Sequence, residues 1–170
     1  TSPNPSMLYD YYGFPEHTYR IRYPASGDPA LASRVVSMLA DAGIACGEDA
    51  QRGFDHGTFV PLSLIYPDAN LPIVMLSMRA DYDPRAHLDV GRALAPLRDE
   101  GVLIIGSGLS YHDMRGFGRP ESTPIASGFE AWLHEAVAAT ERGKRDAMLS
   151  RWAEAPFARG AHPREDHLVP

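Results

Sequence analysis

The sequence predicts an α/β fold: one layered domain over residues 1–170, with a central, mostly parallel sheet flanked by helices. Two continuous apolar runs carry the sheet, Leu71–Met78 and Val102–Ile105, each with the composition of a strand covered on both faces. Between them, residues 84–100 place Leu88, Val90, Leu94 and Leu97 at helical spacing, and a crossover of that length favours a parallel pair joined in the right-handed sense. Strand-like and helix-like segments alternate along the rest of the chain, the pattern of a layered α/β core.

In chain order, residues 1–26 are rich in proline and aromatic residues without helical or alternating period, and read as a loop. Tyr9, Tyr11, Tyr12, Phe14, Tyr19 and Tyr23 are too many rings for a solvated linker, so this loop is expected to pack over something, a ligand cleft among the options. Asp28 followed by Pro29 opens a helix with Leu31, Val35, Val36, Met38 and Leu39 on its apolar side, stopped at Gly43. Residues 44–48 form a short expected strand holding Cys46 as a small buried hydrophobe. Residues 59–66 open a second helix despite Pro61 near its start. After the strand, helix, strand unit, residues 127–140 are an amphipathic helix with Phe129, Trp132, Leu133, Ala136 and Val137 on one side. A shorter helix at 144–153 ends before Pro156.

Composition excludes several classes of function. The 170 residues carry 16 Lys plus Arg against 22 Asp plus Glu, a net charge of −6, so a nucleic-acid partner would be bound against repulsion. The single cysteine rules out an internal disulfide framework and a thiolate-rich zinc site, and fits a cytoplasmic protein. No apolar run approaches the roughly 20 residues of a membrane span, so no membrane partner is expected. A homodimer is the commonest soluble assembly, and the oligomeric state stays open.

Seven histidines are the richest source of chemistry. His56 lies in Gly53-Phe54-Asp55-His56-Gly57, where two glycines permit a tight turn and close approach of backbone to ligand. His112 lies just beyond the carboxyl end of the expected strand at 102–105, the edge where open α/β sheets bind ligands. His162 and His167 stand beside Glu165 and Asp166, carboxylates able to orient an imidazole through its second nitrogen. A hydrogen-bonded turn histidine, a capping or loop histidine and a solvated polar turn are the respective bland alternatives. His87 and His134 read as helix-surface residues, and His17 is undecided. Three imidazoles would suit zinc or iron, but none of the compact zinc motifs is present. Gly106-Ser107-Gly108 fits neither a nucleophile elbow nor a phosphate loop.

Together, five segments resemble the DOPA-dioxygenase-like class III extradiol ring-cleavage dioxygenases, in order and over essentially the whole chain. They are Gly13-Phe14-Pro15, the run from Tyr23 to Ala32, Gly53 to Gly57, Gly106 to Asp113, and Ala161 to Pro170. The resemblance implies an α/β fold and a mononuclear non-haem metal, Fe(II) for catalysis with zinc possible in the same site. It further implies a small aromatic diol and O2 as substrates. It makes His167 a metal ligand, and His112 the main acid/base histidine or, on another assignment, a further ligand. His56 becomes an auxiliary proton donor, and Tyr12, Phe14 and His162 part of the substrate wall. Arg20, Arg22, Arg115 and Arg119 are candidates to pair a substrate carboxylate, or ordinary surface cations.

The sequence departs from the family pattern in one respect. That pattern opens with a His-Gly-Ser/Gly-Pro turn and a Ser-Ala-His-Trp segment supplying two metal ligands, and continues past Leu168-Val169-Pro170; these segments are absent here. The expectation is therefore a fragment with one metal-binding imidazole, inactive alone. A fold does not fix a function. The competing expectations are a non-catalytic metal-binding or redox-signalling relative, and a zinc-dependent hydrolase using the same pocket.

Overall fold

The computed structural model describes residues 2–170, and the chain's contacts cluster into two compact units. The first comprises the chain up to Ser77 with Ala93–Gly101; the second comprises Met78–Arg92 with Val102–Pro170.

In the first unit, helix α1 (Pro29–Asp41) starts where the sequence signals it. The Asp28 carboxylate accepts a hydrogen bond from the Leu31 N–H at 2.9 Å, and Pro29 takes a first-turn position that needs no donor. Ala32, Val35, Met38 and Leu39 form its buried face. Gly43, at φ +73°, ends the helix with a Schellman-type closure in which the Ile44 N–H donates to Leu39 at 2.8 Å.

Helix α2 (His56–Ile65) begins three residues earlier than the apolar pattern suggests. Asp55 caps it through the Thr58 N–H at 3.2 Å, and the helix continues through Pro61, which lies inside it and lacks an N–H to donate. Phe59 and Leu62 of this helix join Tyr23, Ala25 and Phe54 in one core. The aromatic loop packs on that core. Tyr9 lies edge-on to Phe59 at 6.0 Å, and the Tyr9, Tyr11 and Tyr23 hydroxyls donate to the carbonyls of Ile21, Thr18 and Tyr66. Tyr23 is thus buried, and Tyr9 and Tyr11 half-buried, each with its polar end satisfied.

In the second unit, helix α3 (Pro84–Leu94) begins at the expected crossover, and its last residues pass into the first unit. Helix α4 (Thr123–Ala138) starts four residues before its expected origin, with a proline in its first turn; α5 (Arg142–Ser150) and the short α6 (Ala158–Ala161) follow. The core gathers Phe129, Trp152, Ala158 and Ala161. His162 is sealed among them, its ring 5.2 Å from that of Phe129 and 6.2 Å from that of Trp152.

The expected sheet does not form: among the described residues there is no strand, only two isolated parallel bridges, Met7 to Phe54 and Gly27 to Ile73. The reason is pairing. Residues 103–110 are irregular and exposed, Leu103 at 63%, and an apolar run becomes a strand only when a second segment completes its ladder. Residues 71–78 pair only through Ile73. Residues 44–48 are likewise irregular, which leaves Cys46 exposed rather than buried. No helix among the described residues is long and apolar enough to cross a membrane.

His162 has a thermodynamic signature. Neither ring nitrogen has a hydrogen-bond partner in the structure, although the Ser110 backbone approaches it. Burial therefore pushes its pKa below the ordinary 6.5, because the charged form is poorly solvated there. The unfolded chain takes up the proton first. Folding stability is then lost as pH falls below about 6.5 towards the lower folded value. In His162→Phe, thermal melts between pH 7 and about 5 should show a shallower fall than in wild type. An identical slope would mean that His162 is hydrated or paired in solution. Replacement by Ala should cost about 2–4 kcal/mol through the cavity left behind, read from denaturant midpoints. Asp28→Ala should cost about 1 kcal/mol, the typical worth of an N-cap.

Candidate functional site

In the second unit two remote segments are pinned together by their backbones. The Leu109 N–H donates to the His167 carbonyl at 2.9 Å, and the His112 N–H to the Ala161 carbonyl at 2.8 Å. Gly108 makes this approach possible, since a Cβ there would collide with the His167 carbonyl oxygen. Gly106 and Gly108 thus serve close packing of backbone on backbone.

This pairing brings His112 against His167, their rings stacked with centroids 3.5 Å apart and planes 28° from parallel. Asp166 joins them. His112, Asp166 and His167 each offer a donor atom, all within 4.8 Å of one another, the one such group among the described residues. The Asp166 Oδ1 is buried without a hydrogen-bond partner, a costly state for a carboxylate oxygen unless a cation or donor meets it. Two imidazoles and a carboxylate are a donor set that suits divalent iron or zinc. The residues present therefore fit a metal.

Around this group the C-terminal segment is held by its own contacts. Arg159 donates to Glu165 at 2.8 Å while its guanidinium lies 4.6 Å over the Trp152 ring. The Arg159 hydrogen bond holds the Glu165 carboxyl below its usual range against the opposing effect of burial. Arg164 donates to the Tyr82 hydroxyl at 2.8 Å.

His56 is placed in the first unit, at the start of α2. Its Nδ1 lies 2.8 Å from the Asp10 Oδ1, and its backbone N–H donates to the same oxygen at 3.1 Å. Partial burial pushes the Asp10 carboxyl up, but the His56 hydrogen bonds outweigh it and hold that carboxyl below the usual range. With Nδ1–H directed at a carboxylate, the neutral tautomer keeps its lone pair on Nε2, so the ring is set up as a base. Tyr11 packs edge-on to this imidazole at 6.0 Å.

The sequence-derived residues thus divide. The His112 and His167 rings lie against each other. Tyr12 and Phe14, expected in a substrate wall, are exposed in the first unit, at 91% and 60%. His162, expected in the same wall, is instead fully buried, and a side chain with no exposed surface cannot touch a substrate. Asp166 was expected only to orient an imidazole; its donor atom lies among the ligand candidates. Asp10 was not singled out at all, because nothing local links it to a histidine 46 residues away.

Comparison with known proteins places these residues in a family. The whole chain, residues 1–170, matches the model for the catalytic LigB subunit of aromatic ring-opening dioxygenase. It is 40% identical over 168 residues to a 4,5-DOPA dioxygenase extradiol of Beta vulgaris, covering 96% of this chain and 61% of that protein. It is 37% identical over 182 residues to the dioxygenase tasH of Hapsidospora irregularis, covering 98% and 55%. The crystal structure of an uncharacterized Escherichia coli K12 protein matches with a TM-score of 0.74 at 31% identity, over 89% of this chain and 63% of that one. The chain thus spans about three-fifths of the length of these relatives. A family model matched from end to end, with paired histidines at its strand-end and C-terminal motifs, shows that the chain belongs to the LigB family of aromatic ring-opening dioxygenases.

Proposed function

We propose that the whole protein carrying this chain cleaves a catechol-type ring by the extradiol route, using O2, at a mononuclear metal held in part by His112, Asp166 and His167. The observation that carries the reading is the buried, unpartnered Asp166 Oδ1 beside two stacked imidazoles. The names of the relatives, 4,5-DOPA dioxygenase extradiol foremost, support a small aromatic diol as substrate.

Ferrous iron in this donor set supplies the redox chemistry that brings O2 and an aromatic diol into reaction, which zinc in the same donors cannot do. The protein's own residues supply position and protons. On this reading His112 is a ligand rather than the principal acid/base residue, since its ring stacks directly on His167 within the donor group. His56 keeps the part the resemblance implies, an auxiliary proton donor, and Asp10 holds its Nδ1 in a hydrogen bond.

Three variants of the whole protein test the assignment by metal content and ring cleavage together. His167→Ala and Asp166→Asn should each lower metal affinity by about 10-fold or more, and full occupancy in both would remove the proposed centre. His112→Ala should lose metal along with activity; retained metal with abolished cleavage would return His112 to an acid/base role.

Incubation of the iron-loaded protein with catechols in air should give a yellow ring-opened semialdehyde. Iron-loaded protein that leaves every catechol colourless would favour a non-catalytic metal-binding relative. His56→Gln should retain metal and lose about 100-fold or more in turnover, the typical worth of a positioned acid/base group. An unchanged rate would exclude His56 from proton transfer.

A further inference from the structure

The turn before α3 carries a residue that the site does not absorb. Tyr82 sits at φ +51°, a left-handed conformation that costs a bulky side chain energy and persists only where neighbours enforce it. The neighbours here are specific. Arg79 forks onto Asp81 at 2.6 and 3.2 Å, and its backbone N–H donates to the His87 Nε2 at 3.1 Å. His87 in turn directs Nδ1 at the Asp83 carbonyl, 2.7 Å away, which ties the turn to the first coil of α3.

The turn thereby holds one ring in place. The Tyr82 hydroxyl accepts a hydrogen bond from Arg164 Nη2 at 2.8 Å, and the guanidinium carbon lies 5.1 Å from the ring centroid. Arg164 stands two residues before Asp166 and three before His167. A planar guanidinium that both hydrogen-bonds and packs on the same aromatic residue has far less freedom than one with either contact alone.

We infer that Tyr82 is a positioning residue: through Arg164 it fixes the segment that carries Asp166 and His167, and so sets the geometry of that half of the donor group. The inference rests on the proposed metal role for its functional meaning, but its structural claim is separable. The two backbone pins make that separation measurable. Leu109 bonds to the His167 carbonyl, beyond Arg164, whereas His112 bonds to the Ala161 carbonyl, before it. Loss of the Tyr82 contact should loosen the first pin and spare the second.

The experiment uses the whole protein and its Tyr82→Phe, Tyr82→Leu, Arg164→Lys and Arg164→Ala variants, with amide hydrogen exchange and Co2+ titration followed by visible absorption. Tyr82→Leu and Arg164→Ala should speed exchange at Leu109 and weaken Co2+ binding, each by about 3- to 10-fold, while the His112 amide keeps its rate. Tyr82→Phe and Arg164→Lys, which keep the ring or the charge, should fall between these and wild type, and they serve if the harsher variants fold poorly. An unchanged Leu109 rate in every variant overturns the inference. Equal acceleration at both amides also overturns it, since that marks a general loss of stability. Wild-type protein that binds no Co2+ would count against the metal reading alone, because the exchange rates would still decide whether Tyr82 positions the segment.

Discussion

The candidate site depends on two backbone hydrogen bonds. Leu109 to His167 and His112 to Ala161 join segments more than 45 residues apart, and without them the two imidazoles have no reason to meet. Backbone groups suit this role because they are obligatory hydrogen-bonding partners whose positions do not depend on rotamers. Gly108 is the sequence's concession to that contact, since any side chain there would occupy the space of the His167 carbonyl. The motif around Gly106-Ser107-Gly108 is therefore intelligible as packing that lets the segment carrying His112 lie against the one carrying His167.

Behind the pins stands His162, whose contribution is of a different kind. A fully buried imidazole with unpartnered nitrogens weakens the fold relative to a hydrocarbon of the same size. Its ring nevertheless fills the space between Phe129 and Trp152, and the helix turn that leads into it ends with the Ala161 carbonyl that receives His112. A polar residue in an apolar shell next to a candidate metal group fits the general pattern in which stability is given up close to functional sites.

What the sequence disclosed follows from the range of the interactions involved. Helices α1, α3, α4 and α5 were visible because caps and apolar periodicity are local, and Asp28, Pro29 and Gly43 mark α1 almost to the residue. His112 and His167 stand in local motifs too, but that their rings meet depends on contacts remote in sequence. The sheet was not. Leu71–Met78 and Val102–Ile105 have the composition of buried strands, but composition reports what a segment needs and not whether a partner meets it. In the described residues the need is unmet, and Leu103, Ile104 and Ile105 remain exposed. Asp10 was hidden for the same reason, as its bond to His56 crosses the aromatic loop.

Asp166 shows how far a turn can redirect neighbouring side chains. Adjacent residues in an extended chain point to opposite sides, so the donor atoms of Asp166 and His167 would not share one point in such a chain. The structure bends the chain instead: the Leu168 and Val169 N–H groups both donate to the Glu165 carbonyl, at 2.9 and 3.1 Å, closing a helix-like turn. In such a turn successive side chains diverge by only about 100° rather than 180°. Neighbouring residues can then lean towards one point, and with His112 arriving on the other segment three donors converge from two short stretches of chain. The turn at Glu165 is thus as much a determinant of the donor group as the three side chains themselves, and it is held by the contacts of Arg159 and Arg164.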